Sequence, residues 1–280
     1  MIAFLGTGLL GANFTRALLR RGEQVNVWNR TREKAKALEA EGAKAFSDPA
    51  EAVRGADRIH LTLSDDQSVD DVLTKAAQGF KQGVIIIDHS TTSAPGAANR
   101  AKYYKEQGFH FIHAPVFMGP PNALEGTGTM MVSGDQGVIS KIEPELSKMT
   151  GKLWNLGDDP AKAAAIKLIG NLFHIGFVGV ITDMLTLSQN LNVPAEDLPG
   201  LFEILNPAGV ARARLKKITS QTFDEPSWEL SMSRKDARLM IEQATASGKK
   251  LLTIPPIAEK MDVWIGKGFS KSDWTILSQD

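Results

Sequence analysis

The first 31 residues, MIAFLGTGLLGANFTRALLRRGEQVNVWNRT (1–31), decide the fold of the N-terminal half. An apolar run at Ile2–Leu5 leads directly into the pattern G-x-G-x-x-G, and a helical pattern follows. Between a strand and a helix, this motif is typical of a turn that binds the pyrophosphate of a dinucleotide. Gly6 permits the tight turn, Gly8 lets the backbone approach the ligand, and Gly11 lets helix and strand pack closely. A glycine-rich turn needed only for packing is the alternative.

The second apolar run, VNVW, ends without an acidic residue. Sites that prefer NAD usually carry Asp or Glu at this place, where the carboxylate binds the ribose 2′-hydroxyl. Here Asn29, Arg30 and Thr31 follow the strand, with Lys34 one turn later. Arg30 can bind a phosphate or stack on adenine, and Asn29 and Thr31 can donate hydrogen bonds. We therefore expect NADP(H); an ordinary helix cap at Asn29 or Thr31 is the alternative.

Short β-branched runs alternate with helical patterns through the first half of the chain. The runs are IAFL, VNVW, RIHLTL, VIIID and FHFIHA, and KLWN is the last strong strand signal. This alternation predicts an α/β fold with a doubly wound, mostly parallel Rossmann sheet, which binds ligands at the carboxyl ends of its strands. Only helical patterns follow from Ala161 onward. We therefore predict a nucleotide-binding domain at 1–160 and an all-helical domain for substrate binding and dimerisation at 161–280.

Composition excludes several classes of protein. Lys plus Arg and Asp plus Glu both number 32, so the net charge of zero gives no long-range attraction to nucleic acid or to an anionic membrane. The absence of cysteine excludes disulfides and thiolate nucleophiles. No signal-peptide pattern precedes Ile2, and we expect a cytoplasmic protein. The segment 161–191 is apolar on nearly every side and predicts a buried helix, since its most apolar stretch, Leu168–Thr182, is shorter than a membrane span.

Lys167 and Asn171 lie four residues apart in AAAIKLIGNLFHIG and share one face of the predicted helix. A lysine in an apolar helix is costly to desolvate, so it either lies at the helix rim or faces a cleft. Hydride reduction of a carbonyl leaves an alkoxide, and an ammonium group whose pKa is lowered by burial can give it a proton. Asn171 would orient the lysine or bind the substrate. His174 falls on the same face, where a histidine packed in the core is the simpler interpretation.

Other catalytic patterns are absent from the sequence. The motifs G-x-S-x-G, H-E-x-x-H and the phosphate-loop G-K-[ST] do not occur, so hydrolase, metalloprotease and NTPase activities are not expected. His110 and His113 stand at odd separation in one strand and point to opposite faces, so they cannot hold one metal ion. We predict no metal site.

Five motifs run in order over almost the whole chain: GTGLLG, DHSTTSA from Asp88, APVFMGPPNALEGT from Ala114, KLIGN from Lys167 and KDARLM from Lys235. Together they resemble the β-hydroxyacid dehydrogenase family, which includes 3-hydroxyisobutyrate dehydrogenases and glyoxylate/succinic semialdehyde reductases. The resemblance implies that Lys167 and Asn171 are the catalytic pair and that Lys235 lies near the nicotinamide and the substrate. The residues expected to contact the cofactor are Gly6, Thr7, Gly8, Leu9, Leu10, Gly11, Asn29, Arg30, Thr31, Lys34, Leu63, Ser64, Ser90, Thr91 and Lys235. The residues expected to contact the substrate are Ser90, Phe117, Met118, Gly119, Asn122, His174 and Asp236.

The third motif departs from the family pattern D-A-P-V-S-G-G-x-x-G-A, whose serine and glycines bind a substrate carboxylate. His113 replaces the acid, Phe117 the serine, Met118 the first glycine and Asn122 the last, so that only Gly119 survives of the anchoring group. We therefore expect a more apolar pocket. Either Arg212 or Arg214 binds a carboxylate instead, or these are ordinary surface arginines and the substrate is a bulkier, less charged carbonyl or imine.

These observations predict an NADPH-dependent oxidoreductase that reduces an aldehyde or ketone to an alcohol, with the substrate in the cleft between the two domains. The first alternative is an imine reductase on the same scaffold, because the corresponding loop of the related imine reductases is also apolar. Those enzymes usually have Asp or Tyr where this chain has Lys167, which favours carbonyl chemistry. The second alternative is a non-catalytic NADPH-binding module. The partner of the helical domain is expected to be a second copy, in a homodimer or tetramer.

Overall fold

The computed structural model describes all residues from 1 to 280. The chain divides into two compact units, Met1–Asn171 and Leu172–Asp280, which we call the N-terminal and C-terminal units. The division falls inside one long helix. The boundary at residues 160 and 161 lies just before that helix and stays a prediction.

A six-stranded sheet forms the centre of the N-terminal unit, in the order β3-β2-β1-β4-β5-β6, and every neighbouring pair is parallel. Its strands are β1 Ile2–Leu5, β2 Val25–Trp28, β3 Lys44–Phe46, β4 Arg58–Leu61, β5 Ile85–Asp88 and β6 His110–His113. The predicted α/β fold is confirmed. The sequence pattern missed only the short edge strand β3 in this sheet, where a lysine breaks the apolar run.

Helices connect the strands of the N-terminal unit, and a smaller sheet follows the large one. The helices are α1 Leu9–Arg20, α2 Arg32–Lys36, α3 Pro49–Val53, α4 Asp66–Ala76, α5 Ala94–Glu106, α6 Pro120–Glu125 and α7 Gln136–Ser147, and 3₁₀ turns lie at Glu39–Glu41 and Ala77–Gly79. The second sheet has the order β7-β8-β9, with strands β7 Val116–Phe117, β8 Thr129–Val132 and β9 Lys152–Asn155. Strand β9 contains the predicted run KLWN.

The position of β1 explains why its four residues are all apolar. Ile2 and Phe4 belong to the hydrophobic cluster on one face of the large sheet, whereas Ala3 and Leu5 belong to the cluster on the other face. All four side chains are buried. Because successive side chains of a strand point to opposite faces, a central strand covered by helices on both sides must be apolar throughout. The glycine turn at its carboxyl end therefore rests on a rigid base.

The long helix is α8, Lys162–Asn190. Its existence was predicted, but the prediction that it is buried was wrong for this chain, because Leu172 is 73% exposed and Ile175 is 75% exposed. By length and composition it is the only helix long and apolar enough to cross a membrane, so the expectation that its apolar stretch is too short for a span was wrong by this criterion. Only 11% of its 18-residue apolar window is buried within the chain. An apolar pattern predicts that a surface is removed from water, but it does not indicate whether the same chain or another molecule covers it.

Four helices follow α8 in the C-terminal unit: α9 Pro199–Leu205, α10 Pro207–Ser220, α11 Leu230–Ala246 and α12 Ile254–Gly266, with 3₁₀ turns at Ala195–Asp197 and Trp274–Ser278. Their core contains Leu230, Met261 and Trp264. Asp183 fastens α8 to the start of α12, since its carboxylate accepts hydrogen bonds from the backbone N–H groups of Leu252 and Thr253 at 2.6 and 2.8 Å. The predicted all-helical C-terminal region is confirmed.

Candidate functional site

The three glycines of the turn between β1 and α1 serve different purposes. A Cβ atom on Gly11 would lie 2.0 Å from the carbonyl oxygen of Gly6, and one on Gly6 would lie 2.2 Å from the carbonyl oxygen of Thr62. Gly6 also has a φ of +96°, which L-residues rarely adopt. A Cβ on Gly8 would meet nothing within 4 Å. Gly6 and Gly11 are therefore required by the protein's own backbone, whereas the open space at Gly8 is available to a ligand.

The start of α1 presents free backbone donors beside Gly8. No acidic residue stands in the first turn, the N-cap residue Gly8 has no side chain to bind these donors, and Leu9 is 80% exposed. The first N–H groups of a helix have no partner inside it, and the helix dipole favours an anion there. The turn therefore fits the pyrophosphate of a dinucleotide, as predicted from its sequence.

Asn29 ties the loop after β2 to the glycine turn. Its Oδ1 accepts a hydrogen bond from the backbone N–H of Thr7 at 2.9 Å, and its Nδ2 donates to the carbonyl oxygen of Thr31 at 2.9 Å. Thr31 stands at the N-cap position of α2 without a capping hydrogen bond from its side chain. Neither predicted cap is formed. The Asn29 side chain instead stabilises the glycine turn through these two hydrogen bonds, and this role could not be predicted from a sequence pattern.

A pocket of about 260 Å³ lies beside the turn, on the side of β2 and α4. Gly8, Asn29, Arg30 and Lys34, which were predicted to contact the cofactor, line it together with Lys75 from α4. Three cationic side chains and one carboxylate, that of Asp71 on α4, thus line a space next to the anion-binding turn. The place of Lys75 does not follow from the sequence, because only the strand order β2-β1-β4 brings α4 next to the loop after β2.

A second pocket of about 290 Å³ lies on the other side of the turn. It is lined by Gly8, Leu63, Ser90 and Thr91, so the predicted DHSTTSA motif reaches the glycine turn. The Ser90 hydroxyl accepts the backbone N–H of Leu63 at 2.8 Å, which fixes the serine across the two strand ends. Because Gly8 and Leu63 line both pockets, the two spaces continue around the turn as an extended dinucleotide requires.

Two buried histidines support this second pocket from below. His89 Nδ1 lies 2.8 Å from the carbonyl oxygen of Ala114 and therefore carries the proton, so its Nε2 accepts from His60 Nδ1 at 2.9 Å. Burial lowers the pKa of His89 to about 4 and holds the pKa of His60 well below its ordinary value. Both rings are neutral at pH 7 and link β4, the end of β5 and the start of the segment that enters β7. No role for either histidine follows from the sequence.

Lys167 lies near the start of α8, in the N-terminal unit, and is half-buried. Its Nζ stands 4.3 Å from the centre of the Phe117 ring. Burial is the cause that lowers the pKa of Lys167, and no neighbouring carboxylate raises it. Asn171 follows one turn later on the same helix face. The predicted lysine is thus a partly desolvated cation without an acidic partner, which suits proton transfer.

The polar groups in the loop from β7 to α6 are paired with one another. Asn122 Oδ1 accepts the backbone N–H of Gly119 at 2.9 Å, and Asn122 Nδ2 donates to Thr127 Oγ1 at 2.9 Å. The predicted use of the Gly119 N–H to hold a substrate would require the bond to Asn122 to break. Phe117 and Met118 complete the loop with apolar side chains. This loop therefore offers no free donor at Gly119 to a substrate carboxylate.

The remaining predicted residues lie in the C-terminal unit. On α11, Lys235 Nζ forms an ion pair with Asp236 Oδ1 at 2.9 Å. His174 lies on α8 and is exposed, so the interpretation as a core histidine was wrong. Arg214 donates to Ser227 Oγ at 2.6 Å and lies over the ring of Trp274, whereas Arg212 is exposed. Arg214 is thus already held inside its own unit.

Comparisons with known proteins agree with this geometry. A family model described as the NAD binding domain of 6-phosphogluconate dehydrogenase matches residues 1–157. An uncharacterized oxidoreductase of Bacillus subtilis, YfjR, is 26% identical over 284 residues, which cover 99% of this chain and 98% of that protein. The human cytokine-like nuclear factor N-PAC is 31% identical over 247 residues, which cover 86% of this chain and 44% of that protein. The chain thus spans less than half the length of N-PAC.

Solved structures share the fold over the whole chain. The imine reductase of Streptomyces aurantiacus has a TM-score of 0.90 at 21% identity, covering 99% of this chain and 97% of its own. The reductive aminase of Aspergillus terreus, solved with NADPH and ethyl levulinate, has a TM-score of 0.87 at 18% identity and the same coverage. The imine reductase of Myxococcus stipitatus, solved with NADP⁺, has a TM-score of 0.89 at 17% identity, covering 100% and 99% of the two chains.

A parallel sheet with a glycine turn open at Gly8, beside two connected pockets, defines a dinucleotide-binding oxidoreductase. Within that class, the family match and the five ordered motifs agree. The chain belongs to the β-hydroxyacid dehydrogenase family, with an NAD-binding domain of the 6-phosphogluconate dehydrogenase type.

Proposed function

We propose that the protein is an NADP(H)-dependent oxidoreductase that reduces an aldehyde or ketone to an alcohol and catalyses the reverse reaction. The observation that carries this proposal is Lys167, a half-buried ammonium group whose pKa is lowered by burial and which has no acidic partner. NADPH, when bound, would supply the hydride that reduces the carbonyl carbon. Lys167 donates a proton to the carbonyl oxygen, and in the reverse direction it accepts the proton of the alcohol. Asn171, one turn along α8, orients the lysine or binds that oxygen.

The cationic pocket supports NADP(H) as the cofactor. Arg30, Lys34 and Lys75 line it, and no acidic residue follows β2 to repel a 2′-phosphate. Arg30 is suited to bind two phosphate oxygens at once, whereas the two lysines act as point charges. Structures of an imine reductase and a reductive aminase with the same fold contain NADP⁺ or NADPH, which supports this preference, although a variant of the same imine reductase was solved with NAD⁺.

The substrate we propose is a bulkier carbonyl compound that carries no carboxylate beside the loop from β7 to α6. Phe117 and Met118 provide no donor for an anion, and the backbone N–H of Gly119 is bound by Asn122. A substrate carboxylate could bind this N–H only after its hydrogen bond to Asn122 breaks, and the free energy lost with that bond must be offset by new contacts. The apolar side chains instead favour a hydrocarbon group on the substrate.

Imine reduction is the second candidate, and the solved structures named imine reductase and reductive aminase favour it. An iminium ion accepts a hydride at carbon to give a neutral amine, so this reaction needs no proton donor at the moment of hydride transfer. Carbonyl reduction differs, because its alkoxide must be protonated. The role of Lys167 therefore separates the two candidates.

The test measures NADPH oxidation with three compounds at equal concentration: succinic semialdehyde, a bulky uncharged ketone and a cyclic iminium ion. We expect the ketone to be preferred to the acid aldehyde. Lys167→Ala should lower kcat for the ketone by about 10²–10⁴-fold, the range of general acid–base groups. Lys162→Ala, which removes an exposed lysine from the same helix, should leave kcat unchanged.

Three outcomes would redirect the proposal. Fast turnover of the iminium ion that survives Lys167→Ala would favour imine reduction. Preference for succinic semialdehyde would mean that a carboxylate anchor exists outside the loop and would direct attention to Arg212. Tight NADPH binding without turnover of any compound would favour a non-catalytic module, an alternative that the relative named as a nuclear factor keeps relevant.

We also propose that a second copy of the chain covers the exposed apolar surface of α8. Leu172, Phe173, Ile175 and Val178 are each more than half exposed there. Contiguous apolar surface of this kind marks an association site, and soluble oligomers are most often symmetric dimers. A monomeric mass by light scattering at micromolar concentration would contradict the proposed homodimer or tetramer.

A further inference from the structure

The tip of the Phe117 ring is seated against α8 at Gly170. A Cβ atom on Gly170 would lie 2.3 Å from Cζ of Phe117 and 2.9 Å from its Cε1. Atoms of a real side chain do not approach so closely, so only glycine leaves room for the ring at this point of the helix. Gly170 thus forms a notch that fits an aromatic side chain.

The face of the same ring lies under the ammonium group of Lys167, with Nζ 4.3 Å from the ring centre. This distance is well inside the 6 Å range of a cation–π interaction. Lys167 and Gly170 are three residues apart and therefore lie on one face of α8. One turn of the helix thus offers a cation to the face of the ring and a notch to its tip.

The backbone holds Phe117 from the other end. Phe117 pairs with Thr129 in the antiparallel ladder of β7 and β8. A Cβ on Gly128 would lie 2.9 Å from Cγ of Met118, so the next side chain is closely packed as well. The ladder therefore holds the backbone of Phe117, and the notch holds the tip of its ring.

We propose that Phe117 is a positioning residue of this enzyme: its ring, locked into the Gly170 notch, fixes the Lys167 ammonium group at the place from which it transfers its proton. This inference rests on the proposed role of Lys167 as proton donor. The negative face of the ring also stabilises the charged form of the lysine. It therefore opposes the desolvation that lowers the pKa of Lys167.

Phe117→Leu is the informative substitution, because it keeps apolar bulk in the space but removes the π face. With desolvation retained and the cation–π interaction lost, the pKa of Lys167 should fall further, by about half a unit. The alkaline limb of the pH profile for ketone reduction should move down by the same amount, because reduction uses the protonated lysine. The value of kcat should fall roughly tenfold through misplacement of the ammonium group, with KM little changed.

Gly170→Ala tests the notch. The added methyl group displaces the ring tip, so kcat should fall in the wild-type background. Leucine has no atom at the position of Cζ, so the same substitution should have little further effect in the Phe117→Leu background, and the two changes should be non-additive. Gly266→Ala at the end of α12 is the control, since a Cβ at this position also meets nothing within 4 Å and lies outside the apolar surface of α8. It should leave kcat and the pH profile unchanged.

The pKa of Lys167 is measured directly by an NMR titration of protein labelled at the lysine ε-carbon, with Lys167→Met to identify the signal. A lower pKa in Phe117→Leu, together with non-additive kcat values, would support the proposal. An unchanged or higher pKa, or strictly additive effects, would overturn it. If the pKa falls but no compound is reduced by the wild-type protein, the contact stands and the proposed proton-donor role, and with it the positioning of a catalyst, fails.

Discussion

The glycine turn after β1 and the loop from β7 to α6 both place a glycine before a helix, yet they use its backbone in opposite ways. At Gly8 the space is open and the first donors of α1 have no side-chain partner. At Gly119 the backbone N–H is bound by Asn122, and the neighbouring side chains are apolar. The comparison teaches that a motif for anion binding requires donors left free, and that one side chain three residues later can remove them.

The largest effect that we expect is on the free energy of unfolding, and it comes from a substitution in the glycine turn. Gly11→Ala places a methyl group 2.0 Å from the carbonyl oxygen of Gly6, where two backbone segments cannot separate without moving β1. We expect the free energy of unfolding to fall by about 3 kcal/mol or more, at the upper end of overpacking effects. Urea unfolding followed by circular dichroism measures this change.

Gly8→Ala is the matched control for that substitution. Its Cβ meets no protein atom within 4 Å, so the free energy of unfolding should change by less than about 1 kcal/mol. The affinity for NADPH should nevertheless fall, because the methyl group occupies the space left for the pyrophosphate. Unchanged NADPH affinity in Gly8→Ala would show that the ligand does not occupy this space, and an equal stability loss in the two variants would show that the space is not open.

The turn was predictable from sequence because its requirements are local. Strand, glycines and helix follow one another within Ile2–Arg20, and each glycine has a backbone reason that needs no knowledge of distant residues. Lys75 could not be predicted in the same way, because it reaches the pocket only through the order of the strands. Asn29 was expected to face a ligand or cap a helix, but its amide supports the turn, since the side-chain direction depends on the loop's three-dimensional path.

The helix α8 shows a different limit of sequence analysis. Its apolar composition correctly predicted a helix, yet the same composition gave the wrong environment for Leu172 and Ile175 within the single chain. Periodicity separates apolar faces from polar ones, and a helix that is apolar all round provides no such contrast. Phe117 illustrates the opposite case, where the departure from a family pattern indicated an apolar loop but not the contact with Lys167 that gives the ring its place.

The second largest effect concerns acid stability, because the buried histidines His60 and His89, which link β4, the end of β5 and the segment that enters β7, must stay neutral. The pKa of His89 is about 4 in the folded protein and about 6.5 in an unfolded chain, so the unfolded state binds more protons between these values. Stability is therefore fully present above pH 6.5 and falls as the pH drops toward 4, by about 3 kcal/mol in total. His60, whose pKa is also lowered by burial, acts in the same direction.

Urea unfolding at several pH values between 7 and 4 measures this loss. The carboxylate of Asp57 affects stability in a lower window, because hydrogen bonds from Lys81 and the N-terminus hold its pKa at about 2. In His89→Gln the slope between pH 6.5 and 4 should become shallower, even though the variant is less stable at pH 7. An unchanged slope would mean that the linked histidines do not govern acid stability.

The smallest effect that we expect is on the affinity for NADPH, because the charges of the cofactor pocket are exposed and each one contributes modestly. Arg30→Ala should weaken NADPH binding by about tenfold, the loss of roughly 1.4 kcal/mol expected for one charge-assisted contact in a solvated pocket. Binding of NADH, which has no 2′-phosphate, should change little. Lys75→Ala should produce a smaller loss in the same direction, because a flexible lysine gains less from holding a phosphate than the planar fork of an arginine.

Lys36→Ala removes an exposed charge of α2 that does not line the pocket, and it provides the reference for a purely long-range effect. Fluorescence titration of both cofactors at two salt concentrations distinguishes these cases, since a long-range contribution is screened by salt more strongly than a direct contact. Equal weakening of NADPH and NADH by Arg30→Ala would mean that Arg30 stacks on adenine, and the preference for NADP(H) would then depend on the two lysines alone.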